Sequence, residues 1–310
     1  MDILVSAHNP MTGPRHLGHY VSTMMEWPDC EKNYECFFVI DDLIATFMYP
    51  KVREDIFNRT LLTARDFLAC GIDPDKSHLV FTSMLWENTE LLLLLSNFVD
   101  TDYCKRLFEH SFLGMLAPHM RAQLELPTHA SVAEFLYPQL GIPSLTIGLQ
   151  AKAFQGGEEI SGYVHIMKEI GRRFASETGE RLTVAEWLPA RTAHLCGADS
   201  THMSVHNALC LTEPPSPDEL SALPDSVLHE WAVALEGTSY ADALAKNPAS
   251  AKDDIIAKIA SHCEPFKNCC ITSDEILDHA AKGASRAKFL LRQTLGKVKA
   301  GLRIPEIIEY

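Results

Sequence analysis

A short apolar run, Ile3-Leu4-Val5, leads within a few residues into Thr12-Gly13-Pro14-Arg15-His16-Leu17-Gly18-His19-Tyr20. No other stretch limits the possible folds as tightly. The run has the make-up of a buried strand. The Gly/Pro pair turns the chain, and two histidines flank a glycine where a helix should begin. A helix N-terminus presents unpaired N–H groups and the positive end of its dipole, so it draws phosphate. Imidazole N–H groups there can donate to phosphate oxygens as charge builds up in a transition state. Gly18 carries no side chain, so a flat base can lie against the backbone. The plainer alternative is a pair of surface histidines in a turn.

The alternation continues downstream. Cys36-Phe37-Phe38-Val39-Ile40 is a continuous apolar run ending in Asp41-Asp42, which reads as a buried parallel strand with acids at its carboxyl end. Phe57, Leu61, Ala64 and Leu68 mark one face of a helix that stops at Gly71-Ile72-Asp73-Pro74. His78 to Thr82 is the next strand and Thr89 to Val99 the next helix, with Leu91 to Leu95 buried. Residues 101–140 read as mostly helical. Ser144-Leu145-Thr146-Ile147 reads as a short inner strand, with Gly141-Ile142-Pro143 breaking the helix before it. Gly156-Gly157-Glu158-Glu159 opens a helix whose apolar face is Val164, Met167, Ile170 and Phe174. Strand, helix, strand in this order predicts right-handed crossovers and a doubly wound, Rossmann-like parallel sheet. Ligands in such sheets bind at the carboxyl ends of the strands, where the His16/His19 turn and the Asp41/Asp42 pair fall. Glu213-Pro214-Pro215-Ser216-Pro217 is the clearest linker. The expected division is an α/β domain over residues 1–212 and an all-helical domain over 213–310.

Composition narrows the function classes. The net charge of −14 argues against coating nucleic acid by bulk charge, though not against local contacts. Lys282, Arg286, Lys288, Arg292, Lys297, Lys299 and Arg303 lie on a helix whose apolar positions follow 3–4 spacing. Its basic outer face is either simply solvated or a phosphate-backbone contact. Nine cysteines are scattered without a framework, so reduced thiols are expected. The loose set His262, Cys263, Cys269 and Cys270 fits no metal-binding spacing, and no metal site is expected. No apolar stretch approaches the ~20 residues that span a bilayer, and no signal-peptide n-region is seen. The expected location is cytoplasmic.

Several segments, in order, resemble the tryptophanyl-tRNA synthetase family of class I aminoacyl-tRNA synthetases. His16-Leu17-Gly18-His19 resembles its nucleotide-binding HxGH signature, and Cys36 to Leu43 its second strand and acidic turn. Gly71-Ile72-Asp73-Pro74-Asp75-Lys76-Ser77 is similar to a phrase common in the family. Tyr137-Pro138-Gln139-Leu140 resembles its Tyr-Pro helix, and Gly157-Glu158-Glu159 its GEDQ segment. Met203-Ser204, with Asn207 and Leu211, resembles its mobile KMSKS loop. The resemblance covers roughly residues 2–220. It implies a reaction of an amino acid with ATP and Mg²⁺ to give aminoacyl-adenylate and pyrophosphate, then transfer to tRNA. It implies catalytic roles for His16, His19, Met203 and Ser204. Thr12, Gly13, His16, Gly18, His19, Gly157, Glu158, His202 and Met203 would hold ATP. Ser6, Asp42, Tyr137, Gln139, Ser144 and Ile160 would surround the amino acid, with Tyr137 at its α-amine. It further implies a homodimer, and it suggests an anticodon-binding-like role for the helical tail.

The departures from the family pattern are equally specific. Both KMSKS lysines are absent from His202-Met203-Ser204-Val205-His206, and a lysine on departing pyrophosphate is a strong charge-assisted contact. The aspartate that reads the indole N–H aligns with Ser144, and the glutamine of GEDQ aligns with Ile160. A pocket that loses a buried polar reader loses discrimination. The expected function is therefore a specialised, adenylate-forming paralogue acting on tryptophan, an analogue or another amino acid. Its acceptor would be tRNA or another nucleophile, and natural-product biosynthesis is a fitting setting. A divergent tryptophan–tRNA ligase and a non-catalytic adenylate- or tRNA-binding protein are the alternatives.

Overall fold

The computed structural model describes residues 1–11, 14–48, 55–109, 129–192, 195–201, 203, 207–237, 240 and 248–305. Five strands form one parallel sheet: β1 (Asp2–His8), β2 (Tyr34–Ile40), β3 (His78–Phe81), β4 (Ala153–Gly156) and β5 (Glu186–Pro189). Their spatial order is β3-β2-β1-β4-β5. The sheet grows outward from β1 in both directions, as in a doubly wound fold, so a crevice opens at the carboxyl ends of β1 and β4. β2 is buried along most of its length, and its run Cys36 to Ile40 is fully covered on both faces. That is why its sequence shows no polar alternation.

The helices are α1 (Leu17–Ser22), α2 (Trp27–Cys30), α3 (Asp42–Met48), α4 (Ile56–Ala69), α5 (Trp86–Leu95), α6 (Thr101–Glu109), α7 (Val132–Gly148) and α8 (Ser161–Thr178). After the proline-rich stretch come α9 (Pro217–Ser221), α10 (Asp225–Glu236), α11 (Pro248–Lys267) and α12 (Ser273–Gly301). Gly71, just past α4, takes φ +99°, which stops the chain as a left-handed residue can. None of the described helices is long and apolar enough to cross a membrane.

The structure overturns one sequence expectation around residue 144. Ser144 to Ile147 is not a strand and Gly141-Ile142-Pro143 breaks nothing, because α7 runs unbroken from Val132 to Gly148 with Pro138 and Pro143 inside it. Each proline removes one ladder hydrogen bond. Burial outweighs that loss: the helix is covered on all sides from Gln139 to Gly148. Asn88 Nδ2 also donates to the Gly141 carbonyl at 3.0 Å. The strands that sequence reading missed are β4 and β5. The part of the helical expectation between 110 and 128 lies outside the described residues.

The basic helix is also used differently from the expectation of a free outer face. α12 packs against β3, α5 and α7, and three of its cations face acids on the sheet side. Arg286 grips Glu35 with two bonds of 2.7 and 3.0 Å. Arg292 pairs with the buried Glu87 at 2.9 Å, and Lys299 pairs with Glu90 at 2.6 Å. Arg286 also holds the Glu35 carboxyl below the usual carboxylate range.

Gly283 lets α12 come this close. A Cβ there would sit 2.1 Å from the Leu79 carbonyl oxygen of β3. Helix propensity alone favours alanine over glycine by ~1 kcal/mol, but forcing atoms into a packed contact costs about 1–3 kcal/mol or more. The overlap is with backbone, which cannot rotate away, so the steric cost wins. Gly283→Ala is expected to destabilise the fold by about 3 kcal/mol, read as a fall in the midpoint of chemical unfolding; an unchanged or raised midpoint would show that α12 does not lie this close to β3.

Candidate functional site

The first strand delivers the turn, and the turn delivers the histidines. His16 caps α1 in extended conformation. Its backbone N–H donates to His19 Nδ1 at 3.3 Å, so a neutral His19 carries its proton on Nε2. The two rings lie 3.8 Å apart between centroids. His19 is pushed well below its ordinary pKa, by loss of water first and then by the charges of Arg15, His16 and His8.

A distant segment is stitched onto this turn. Leu17 N–H donates to Leu209 O at 2.9 Å and Leu211 N–H to Arg15 O at 3.1 Å. His16 and Cys210 form an antiparallel bridge. Upstream, Met203 N–H donates to Leu195 O at 2.9 Å. Met203 is thereby buried, and its Sδ accepts the Gly18 N–H at 3.2 Å. A Cβ on Gly18 would meet the His16 ring at 3.0 Å and Met203 Sδ at 3.2 Å. Gly18 is thus the meeting point of the turn and the late segment. Thr12, Gly13, His202 and Ser204 lie outside the described residues.

The second strand delivers the acids. Tyr137 of α7 donates its hydroxyl to Asp41 Oδ1 at 2.8 Å. Its ring lies over Gly141, where a Cβ would come within 2.7 Å. Thr82, just after β3, has its Oγ1 2.9 Å from both Asp41 Oδ1 and Asp42 Oδ1. One hydroxyl hydrogen cannot serve both acceptors fully. Ser83 N–H donates to Asp42 Oδ1 at 2.8 Å, and its hydroxyl donates to Asp42 Oδ2. Both acids are buried. Burial pushes Asp41 up to about 6, against the opposing pull of the Tyr137 and Thr82 hydroxyls. Tyr137 is raised well above its ordinary value by burial and by the Asp41 charge.

The remaining expected residues are placed as follows. Ser6 is fully buried and its hydroxyl donates to Gln155 O at 3.4 Å. Gln139 is buried in α7. The Ser144 hydroxyl lies 3.0 Å from both Asn88 Oδ1 and Gly141 O, so it is held in a knot behind the Tyr137 ring. Ile160 is buried and covers Gly156, where a Cβ would meet it at 2.9 Å. Gly157 is buried and Glu158 exposed. The structure therefore gathers His16, Gly18, His19 and Met203 at one strand end, and Asp42 with Tyr137 at the next.

Thr82, Ser83 and Gln155, which the sequence reading did not select, complete the geometry, and of the Asp41/Asp42 pair the first takes the contact expected near the second. Asp41, rather than Asp42, receives Tyr137, and Thr82 and Ser83 bind the acids. The rule that ligands gather at strand carboxyl ends points to positions 82 and 83 as it does to 41 and 42. Gln155 links the neighbouring wall, accepting from Trp27 Nε1 at 3.0 Å and donating to Glu26 Oε2 at 3.1 Å. No sequence motif marks it.

The model of the class I tRNA synthetases (W and Y) matches residues 6–203. A tryptophan–tRNA ligase from Thermotoga maritima is 28% identical over 194 residues, covering 62% of this chain and 57% of that protein. One from Ralstonia nicotianae is 30% identical over 169 residues, covering 53% and 39%. The chain spans about half the length of the curated relatives it matches. Among solved structures, tryptophanyl-tRNA synthetase from Mycoplasma pneumoniae superposes with a TM-score of 0.77 at 15% identity over 99% of both chains. The Campylobacter jejuni enzyme, complexed with ADP and tryptophan, gives 0.76 at 18% identity over 97% of this chain and 99% of that one. At such identities the structures speak to the fold alone. The family match begins in the first strand and ends at the methionine that caps Gly18, and over that span the chain belongs to the class I tRNA synthetases (W and Y).

Proposed function

We propose that this chain is an ATP-dependent, AMP-forming enzyme and a specialised paralogue of the tryptophan enzymes. An amino-acid carboxylate oxygen attacks the α-phosphorus of ATP and pyrophosphate leaves. A nucleophile, a ribose hydroxyl of tRNA or a group on another acceptor such as an amine, then attacks the acyl carbon and AMP leaves. The observation that carries this reading is the convergence of His16, Gly18, His19 and Met203 on one turn, beside the buried Tyr137–Asp41 pair. Catalysis of this kind is mostly positioning and stabilisation of phosphate charge.

In this reading His16 and His19 donate N–H groups to phosphate, and Thr12, Gly13, His202 and Ser204 complete that end. Gly157 and Glu158 close the nucleotide side. Among the described residues no group of three His, Cys, Asp or Glu side chains is placed to hold a metal ion; in this reading Mg²⁺ arrives on the phosphates of ATP. Tyr137 and Asp41 hold the substrate's α-ammonium, with Ser6, Asp42 and Gln139 around them. The reading away from tryptophan rests on Ser144 and Ile160. The first spends its hydroxyl on Asn88 and Gly141, and the second is apolar and packed on Gly156. Neither offers a carboxylate or amide to an indole N–H. A biosynthetic route to a modified peptide or small metabolite suits such an enzyme. A homodimer and a tRNA partner come with the family reading.

Pyrophosphate exchange into ATP, run across the twenty amino acids and several indole and non-proteinogenic ones, tests the proposal. One compound should drive exchange, and His16→Ala with His19→Ala should lower its rate by about 10²-fold or more. Exchange driven by tryptophan would instead favour a divergent tryptophan–tRNA ligase. ATP binding without exchange, with or without added tRNA or amine, would favour a binding protein.

Two further outcomes are expected. An ammonium needs an ionised Asp41, and that carboxyl is raised to about 6. Affinity for the amino acid should therefore be full above pH 6 and fall as pH drops through it. Tyr137→Phe removes a donor that favours the ionised form, so the fall should move to higher pH; a pH-independent affinity in both proteins would remove Asp41 from the site. For tRNA, Lys297 is exposed while Arg286 is tied to Glu35. Lys297→Glu should weaken tRNA binding and reduce its salt slope by about one without changing the melting temperature. Arg286→Glu should lower the melting temperature with no RNA present. Equal melting curves for the two would contradict the internal role of Arg286.

A further inference from the structure

The turn that holds His16 and His19 also holds one permanent cation. Between residues 9 and 19 the only lysine or arginine is Arg15, and the stitched segment 195–211 contains none. Arg15 is 1% exposed. Its Nη2 donates to Asn9 O at 3.1 Å and its Nη1 lies 3.3 Å from His8 Nδ1. A guanidinium can only donate, which fixes the direction of everything beyond it. His8 Nδ1 must be the acceptor, so the His8 proton sits on Nε2. That nitrogen is 3.0 Å from Thr23 Oγ1 and donates to it. The Thr23 hydroxyl in turn lies 3.5 Å from the His19 carbonyl oxygen, where it can donate. A one-way chain therefore runs from Arg15 through His8 and Thr23 to the backbone of His19.

The surroundings keep this chain in one state. His8 sits edge-on to Trp27 at 5.4 Å and to Phe67 at 5.2 Å. Burial, then Arg15 and His16, push it down to about 3, so it stays neutral and its tautomer does not exchange through a charged form. Arg15 itself is lowered by burial only to about 10, so it is cationic at neutral pH. The acid that interacts with it is Asp66 of α4, raised to about 6 by burial and opposed by Arg65 and Arg15. Among the described residues, the charged and titratable groups around His19 are Arg15 and His16 on the turn and His8 on β1. Asp66 and Arg65 on α4 lie behind Arg15.

We propose that Arg15 is the positioning residue of the His16/His19 turn: its buried guanidinium, through the Arg15–His8–Thr23 chain, holds the His19 backbone in place and with it the imidazole as an N–H donor. This rests on the adenylate-forming reading of the site and extends it. A histidine already protonated would bind phosphate strongly in the ground state. A neutral N–H donor with a fixed positive charge behind it gains most as charge develops in the transition state, which is the condition for raising kcat rather than merely lowering KM.

The test uses the full chain with isotope-labelled histidines, comparing Arg15→Gln, Arg15→Lys and Thr23→Val. In the unaltered protein His19 is held well below its ordinary range, first by burial and then by Arg15, and in Arg15→Gln its titration should move upward, burial still keeping it below the ordinary value. In exchange assays Arg15→Gln should lower kcat by about 10–100-fold with KM for ATP changed by less than about three-fold. Arg15→Lys keeps the charge and should recover most of the rate. Thr23→Val breaks the chain but leaves the charge, so the His19 titration should not move while kcat falls several-fold; this variant serves also if Arg15→Gln does not fold. An unmoved His19 titration in Arg15→Gln, a lysine variant no better than the glutamine one, or an unchanged kcat in Thr23→Val would overturn the proposal. Adding ATP to the unaltered protein separates the two readings: no movement of the His16 and His19 signals would sink the nucleotide site, while the titrations still decide whether Arg15 governs the pair.

Discussion

The site depends on a few backbone hydrogen bonds between segments nearly two hundred residues apart. Leu17 to Leu209, Arg15 to Leu211 and the His16–Cys210 bridge tie the first turn of the chain to a late one. Main-chain bonds fix position without regard to side chain, so the late segment can change its residues and still arrive at the same place. That explains how the loop around Met203 can lack lysines and yet set its methionine on Gly18. It also shifts the electrostatic burden. The late segment 195–211 has no lysine or arginine, and between residues 9 and 19 Arg15 is the one permanent cation; Arg59 and Arg65 of α4 and Lys267 line a cavity with Pro14 and Cys210.

The two ends of the site are electrostatic opposites built by the same architecture. Parallel strands end together, so β1 and β2 present their next residues side by side. After β1 come a buried arginine and a depressed histidine, and after β2 comes a buried acid raised to about 6. Each group is desolvated, which would be costly without partners. Each has them: Asn9 and His8 for Arg15, and Tyr137 and Thr82 for Asp41. A molecule with an ammonium at one end and phosphates at the other would lie along this gradient in one direction only.

Much of this was legible in the sequence where local pattern and tertiary role coincide. The first three strands, the Gly71 stop and the His16/His19 turn follow from apolar runs and breakers. The misses have physical reasons. β4 is only Ala153-Phe154-Gln155-Gly156, with no periodicity and a polar side chain buried in the middle. β5 is an edge strand, exposed at three of four residues, so it carries no burial signal. Ser144 to Ile147 has strand-like composition but lies in a helix covered on every side, where the amphipathic signal vanishes. Pro143 reads as a breaker for the same reason: local propensity leaves out the packing that overrides it. At the site, Asp41 rather than Asp42 meets Tyr137, a choice of one residue that strand register decides and sequence spacing does not.

The fate of the basic helix bears on what the protein can bind. A chain of net charge −14 has few cations to present, and α12 turns three of them inward, onto Glu35, Glu87 and Glu90. Those pairs join the C-terminal helix to β2 and α5, and Gly283 brings the backbones of α12 and β3 together. Charge used in this way stabilises the fold but is neutralised toward a polyanion. Any nucleic-acid contact on this face therefore rests on the exposed Lys282, Lys297 and Arg303, the partly covered Lys288 and the exposed flank of Arg292, a small footprint that favours a local and salt-sensitive contact over extended backbone tracking.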